Sequence, residues 1–361
     1  MKILVYPRDM NPYQELLYSK LRSKIEVKYL ENPTQSHTVG LFLLFLQVLC
    51  YRIKGFTIFH LHWVYPFSSP LKNLLFNNLL TRAFFTFYFI FFIFFIKILR
   101  YRLVWTVHNI IPHEKQFIND IWITKFLSKL SDSKIVHSKI TLKEMKKMFI
   151  DTHSSYIIPL GSYAGEYPNN LNKKDARKKL DIKKNNFVFC FFGRVEIYKG
   201  IIDLLNDFLC LKNKNSVLII AGKCQDSDLK KRILDYKGYN NIILHLDFIP
   251  DDMVQIFLNA TDILVYPFRT ITTSGSVILA LSFGKPIICP RIGNLEELPK
   301  DVGFFYGPEN KQGLLNCLKK ATANKGKLEE MEKNALKYVK SLSWDKIANK
   351  TYDVYKKVIR L

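Results

Sequence analysis

The chain has 361 residues, 48% of them hydrophobic and 24% charged. That is enough for two domains with a core each, and it excludes a disordered or disulfide-scaffolded protein. Lysine and arginine number 54 against 31 acidic residues, a net charge of +23, so an anionic partner is expected. The six cysteines form no CxxC pair, which fits buried, reduced thiols and a cytosolic setting.

In chain order, Met1 to Tyr6 runs straight into a strand pattern with no leader-like segment. Short apolar or β-branched runs follow at Val27–Leu30, Thr57–Leu61, Leu103–Val107, Lys134–Val136 and Tyr156–Ile158, with longer helical stretches between them. Such alternation predicts a parallel sheet covered on both faces. Two of the helical stretches are very apolar. Leu41–Leu49 precedes Arg52 and Lys54, and Ala83–Leu99 holds nine aromatics among fourteen uncharged residues between Arg82 and Lys97. The second is short for a membrane span, which needs about 20 apolar residues. It suits a helix in the core or at a lipid surface, and both uses stay open.

From Asn169 to Asn186 the chain turns polar and basic, as expected of an interdomain linker carrying a short helix over 173–180. The alternation then resumes at Phe187–Phe192, Val217–Ala221, Ile242–Leu246, Ile263–Val265, Pro286–Cys289 and Gly303–Tyr306, before a final helix from Trp344 to Ile359. The expected organisation is a first domain over 1–168, a linker over 169–186, a second domain over 187–342 and a terminal segment over 343–361. The fold class is α/β, two doubly wound Rossmann-like domains facing across a cleft, with ligands at the carboxyl ends of the strands.

Two places predict anion binding. The run FFGRVEIYKG ends a strand in Gly193 and Arg194 and sets Lys199 and Gly200 at a helix start. A turn, a fork of donors, an ammonium and free helix N–H groups suit a diphosphate. The run TTSGSVILALSFGKPII sets Ser274, Gly275 and Ser276 at another helix start, with hydroxyl and backbone donors for the same phosphates. In the first half, His108 follows the strand of VWTVHNIIPHE, with His113 and Glu114 in the same loop. Asp9 follows the first strand, and His60, His62 and Trp63 end another. Glu114 and Asp9 are equal candidates for a base; the HLHW residues are candidates for an acceptor pocket. Asp226-Ser227-Asp228 spells a metal-type DxD but heads a helical run, which predicts a cap. No zinc spacing, P-loop or GxSxG is present.

Taken together, GRVEIYKG, the SGS…LALSFGKPII block, GNLEEL at 293–298, the Gly303–Pro308 segment and SWDKIA at 343–348 resemble the family 4 glycosyltransferases of GT-B fold along nearly the whole chain. The resemblance implies sugar transfer from a nucleotide-diphosphate sugar held by the second domain. The implied acceptor is a saccharide, plausibly polyprenyl-linked, held by the first domain at the cytosolic face of an anionic membrane. No metal or other cofactor is implied, because Arg194 and Lys199 would neutralise the departing diphosphate. Arg269 and Thr272 flank the SGS turn and are candidates for holding sugar or phosphate, and His108 matches a histidine that touches the donor sugar. The terminal helix is implied to cross back to the first domain. The family's glutamate pair would fall at Ile271 and Leu279, and neither is acidic. Glu297, with Glu296 as competitor, is the remaining candidate for the ribose, and retention or inversion stays open. A nucleotide-sugar epimerase and an inactive GT-B partner subunit are the alternatives. Nucleic acid is not expected, since the basic residues are dispersed rather than gathered in a module.

Overall fold

The computed structural model describes residues 1–9, 11–31, 37–67, 79–112 and 114–360. The chain divides into two compact units, residues 1–159 with 344–361, and residues 160–343.

In the first unit, β1 (Lys2–Tyr6), β2 (Glu26–Tyr29), β3 (Ile58–Leu61), β4 (Arg102–Val107), β5 (Ser133–Val136) and β6 (Ser155–Ile157) form a parallel sheet in the order β2-β1-β3-β4-β5-β6. β3 and β5 are buried at every position, because helices cover both faces and leave no polar side to alternate with. The chain runs out from β1 to β2 and returns to β3. A crevice therefore opens beyond the carboxyl ends of β1 and β3, where loops diverge to opposite faces. The terminal helix Trp344–Arg360 belongs to this unit and packs on the helix Pro12–Ser19 and on β4.

The helix Leu79–Ile98 carries two apolar stripes. Phe85, Phe89, Phe92, Ile93 and Ile96 pack into the core with Phe59, Phe67 and Tyr101. Phe84, Phe87, Phe91, Phe94 and Ile98 point outward, with Phe87 68% and Phe91 63% exposed. The helix is long and apolar enough to cross a membrane, yet 39% of its most apolar window is buried in the protein. Of the two uses foreseen for it, the core takes one stripe. Ring contacts extend the outer stripe: Phe45 of the helix His37–Ile53 meets Phe91, and Phe94 meets Phe126, which stacks on Trp122.

In the second unit, β7 (Phe187–Phe192), β8 (Ser216–Ala221), β9 (Ile242–His245), β10 (Ile263–Val265), β11 (Ile287–Pro290) and β12 (Gly303–Tyr306) are parallel in the order β12-β11-β10-β7-β8-β9. Here the order reverses between β7 and β10, which puts the crevice beyond Phe192 and Val265.

The stretch 169–186, expected as a linker, lies inside this unit. Its helix Lys173–Lys179 packs on the helix Val254–Ala260, and Ala176 is fully buried. Arg177 is buried too. Its guanidinium donates to the Asp262 carboxylate at 2.7 Å and to the carbonyls of Ala260, Lys184 and Asn186. The polarity that suggested a tether conceals one arginine that works inside the fold. The first unit accordingly ends at 159 rather than 168.

Candidate active site

At the β7–β10 crevice the two anion-binding runs come together. Gly193 has φ +135°, and a Cβ there would lie 2.7 Å from Ser276 Oγ. Only glycine lets the β7 turn approach the start of the helix Gly275–Ser282 this closely. Gly200 has φ +71°, and its Cβ position lies 2.1 Å from the Pro267 carbonyl oxygen, while Arg269 N–H donates to the Tyr198 carbonyl at 2.8 Å. The loops after β7 and β10 are thus joined along their length. Ser274 caps the helix Gly275–Ser282, its Oγ accepting from Val277 N–H.

The expected ligand groups divide. Arg194 is exposed beside this turn. Lys199 is buried; its ammonium donates to the Arg194 carbonyl at 2.8 Å and lies 3.3 Å from the Glu196 carboxylate. Burial pulls Lys199 below the ordinary lysine range, and Glu196 offsets this only in part. Burial alone would raise Glu196, but Lys199, Tyr198 and Arg194 hold its carboxyl below the usual range. Arg269, expected to hold phosphate or sugar, pairs with Asp203 through two 2.8 Å bonds to its carboxylate oxygens. The Thr272 carbonyl accepts from Asn294 N–H at 3.1 Å, tying the loops after β10 and β11. Glu296 and Glu297 are both exposed, Glu297 near the Tyr338 phenol, whose pKa it helps raise after burial. Asp226 accepts from the N–H groups of Asp228 and Leu229 at the start of the helix Ser227–Leu234, the cap foreseen for the DxD.

In the first unit, parallel register places one imidazole beyond the carboxyl end of each of three adjacent strands: His62 after β3, His108 after β4 and His137 after β5. His60, two residues before His62, lies on the same face of β3. All four are buried. His137 Nδ1 lies 2.9 Å from the Ile158 carbonyl, His137 Nε2 3.2 Å from His108 Nδ1, His108 Nε2 3.2 Å from His62 Nδ1, and His62 Nε2 2.8 Å from the Tyr18 hydroxyl. A carbonyl can only accept. His137 therefore donates from Nδ1 and, being neutral, accepts at Nε2; His108 and then His62 must repeat the pattern. One backbone oxygen thus fixes three tautomers, and Tyr18 donates into the far end. His60 completes the cluster, 2.6 Å from Tyr355 Oη, 2.8 Å from Tyr18 Oη and 2.8 Å from Thr106 Oγ1.

Burial keeps all four imidazoles neutral. It pushes His60 down to about 3 and His137 to about 4, with the Ile158 bond opposing the latter, and it holds His62 and His108 well below the ordinary range. Tyr13 sets its ring edge-on against His62, His108 and His137, and Trp63 stacks on His108 at 4.3 Å and 12°. His60 and His62, expected to line a pocket, are core residues: the alternation that pointed them to one face put them beneath helices. His108 is 9% exposed with both ring nitrogens engaged, so contact with a sugar requires loosening one 3.2 Å bond. Asp9 accepts from Asn11 N–H at 2.7 Å and from the Tyr65 hydroxyl at 2.8 Å, at the mouth of the β1–β3 crevice. Glu114 is exposed, and His113 lies outside the described residues.

Sequence reasoning missed His137, Tyr18 and Tyr355, whose partners are 21 to 337 residues away. It also missed Thr273 and Asn294, which hold buried polar atoms in the loops after β10 and β11. Thr273 and Asn294 were within reach, since they lie in the quoted TTSGSVILALSFGKPII and GNLEEL runs; no pattern marks the others.

Comparison with known proteins bears on both units. The family described as Glycosyl transferases group 1 matches residues 172–338. An uncharacterized glycosyltransferase of Methanocaldococcus jannaschii is 26% identical over 242 residues, 64% of this chain and 62% of that protein. The UDP-Gal:alpha-D-GlcNAc-diphosphoundecaprenol alpha-1,3-galactosyltransferase of Escherichia coli is 26% identical over 254 residues, 65% of this chain and 62% of that protein. The matched region thus spans less than two thirds of either relative. Among solved structures, HepE of Anabaena in complex with UDP and glucose superposes with a TM-score of 0.75 at 17% identity, over 99% of this chain and 100% of that one. Residues 172–338 are thus similar to the group 1 glycosyl transferases, and the chain has the GT-B fold, built from two Rossmann-like domains.

Proposed function

We propose that this protein transfers a sugar from a nucleoside-diphosphate sugar to a lipid-linked saccharide acceptor, without a catalytic metal. One observation carries the reading: the Gly193 turn and the Ser274–Ser276 helix start converge on a single crevice, where Gly193 leaves no room for a Cβ beside Ser276. Backbone donors and the Arg194 guanidinium would meet the diphosphate there, with the Lys199 ammonium behind them. The bond from the anomeric carbon to the phosphate oxygen breaks as the acceptor oxygen bonds to that carbon. The electron pair leaves on the diphosphate, and the cations stabilise the charge that develops. The acceptor proton goes to Asp9 or Glu114 if the product is inverted, or to the departing phosphate oxygen if configuration is retained. The group 1 match and the UDP-and-glucose complex of HepE support a nucleotide-sugar donor. The diphosphoundecaprenol acceptor named for the Escherichia coli relative supports a lipid-linked acceptor.

The same proposal places the first unit against the cytosolic face of an anionic membrane. The outer stripe of Phe84, Phe87, Phe91 and Phe94 continues through Phe126 to Trp122, and exposed Lys54 and Arg100 stand at the ends of the two apolar helices. Because its inner stripe is packed in protein, the helix Leu79–Ile98 suits an interfacial position better than a span.

A thermal-shift series with UDP, GDP, ADP and dTDP tests the donor site. One diphosphate is expected to raise the melting temperature, and both Arg194→Ala and Lys199→Ala to lose that rise. An unchanged rise in both variants refutes the placement of the phosphates.

A further inference from the structure

We propose that Thr273 and Asn294 form an uncharged hydroxyl-and-amide cradle for donor hydroxyl groups, replacing the carboxylates that family resemblance leads one to expect at 271 and 279. The inference rests on the donor site proposed above. At the two expected positions Ile271 and Leu279 are apolar and buried in the core, so neither presents a polar group to a ligand. Next to Ile271 along these loops, Thr273 Oγ1 and Asn294 Oδ1 are buried atoms with no hydrogen-bond partner among the described residues.

The two orphans sit on loops fastened to each other. Asn294 N–H donates to the Thr272 carbonyl at 3.1 Å. Gly293, at φ +51°, passes so close to the preceding loop that a Cβ would lie 2.0 Å from the Ile271 carbonyl oxygen. Thr273 in turn directly precedes Ser274, the cap of the helix proposed to receive the diphosphate. A buried polar atom without a partner is costly, and such atoms persist in native proteins chiefly where a ligand or a water completes them. An amide oxygen accepts from a hydroxyl; a threonine hydroxyl both donates and accepts. The pair therefore matches the hydroxyl groups of a donor, on its ribose or on its transferred sugar, and requires no counter-charge.

Titration calorimetry on the full chain tests this. The probes are whichever of UDP, GDP, ADP or dTDP stabilises the wild type, and the glucose conjugate of that nucleotide. Thr273→Val and Asn294→Ala are each expected to weaken binding of the conjugate about tenfold, and Thr273→Ser to retain it, since an unpaired buried partner weakens binding by about that factor. A loss confined to the conjugate assigns the cradle to the sugar, and an equal loss for both probes assigns it to the ribose; either supports the proposal. Unchanged affinities, meaning that the orphans hold water alone, overturn it, as does a Thr273→Ser loss equal to that of Thr273→Val. Should Thr273→Val fail to fold, Asn294→Ala decides the matter. Wild-type chain that binds no diphosphate removes the donor site itself, and the cradle with it.

Discussion

Four imidazoles held neutral in one buried cluster make the first unit sensitive to acid. An unfolded histidine has a pKa near 6.5, so at pH 5 it is almost fully protonated. In the folded chain His60 is pushed down to about 3 and His137 to about 4, and His62 and His108 also lie well below the ordinary range. The unfolded state therefore binds more protons. Stability is complete above about pH 6.5 and falls as pH drops toward 4, in the sense that linkage requires for a depressed folded pKa. His60 and His137, each kept neutral at pH 5, cost about 2 kcal/mol apiece, and His62 and His108 act in the same direction. That is a large share of the whole stability of an ordinary domain, about 5–15 kcal/mol.

The assay follows from where the tryptophans lie. Trp63, Trp105, Trp122 and Trp344 are the chain's only four, and all belong to the first unit, so tryptophan fluorescence in urea reports on that unit alone. Between pH 6.5 and 5 the unfolding free energy should fall by at least about 3 kcal/mol per pH unit as pH nears 5, equivalent to uptake of about two protons or more. His137→Asn should reduce the uptake by about one. An uptake of one proton or fewer in the wild type would refute the neutral cluster, whatever the variant does.

Three further outcomes are expected. Arg177→Ala takes the buried cation from the Asp262 carboxylate, leaving it Lys173 at 2.5 Å and the Val188 N–H, and should lower second-unit stability by about 3 kcal/mol in urea unfolding followed by circular dichroism. Gly200→Ala forces a Cβ to within 2.1 Å of the Pro267 carbonyl oxygen at φ +71°. It should abolish the thermal shift given by the diphosphate and cost about 1–3 kcal/mol. Phe87→Asp with Phe91→Asp should abolish cosedimentation with phosphatidylglycerol vesicles while leaving the unfolding midpoint within about a degree of wild type, since both rings are outward-facing. Retained vesicle binding would exclude the aromatic stripe as the contact.

Strands were the most legible part of the sequence. Each run anticipated from apolar, β-branched residues is a strand within a residue or two, because a parallel sheet buried on both faces tolerates little else. The glycine turns were legible for a related reason: Gly193 and Gly200 stand where the backbone needs positive φ. Buried polar chemistry was hidden. Arg177 sits in a run of lysines and looks like surface charge, yet one register position carries it into the fold. The histidines were seen individually but not as a chain, because the bonds His137 to His108 and Tyr18 to Tyr355 depend on strand order and on a helix that returns from the carboxyl terminus. The Arg269–Asp203 pair was hidden because Asp203 lies on the helix Ile201–Cys210, 66 residues away. Pairing of this kind leaves no periodic signal.

The missing glutamates and the two orphan atoms have a joint electrostatic consequence. A carboxylate about 6 Å from a phosphate oxygen opposes it by about 3 kcal/mol per unit charge pair at an effective dielectric constant of 20. With Ile271 and Leu279 in those places, the acidic group in contact with the site's cations is Glu196, already compensated by Lys199. Diphosphate binding should gain accordingly. Sugar recognition should lose, because a hydroxyl bonded to a neutral amide or threonine is worth about 0.5–1.5 kcal/mol, against about 1.5–3 for one bonded to a carboxylate. The complete donor should therefore bind at most about a hundredfold more tightly than its nucleoside diphosphate. Restoring charge with Leu279→Glu should weaken diphosphate binding at least about tenfold in titration calorimetry. A donor bound about a thousandfold more tightly than its diphosphate would contradict this account, because two neutral partners worth at most about 1.5 kcal/mol each could not supply so large a difference.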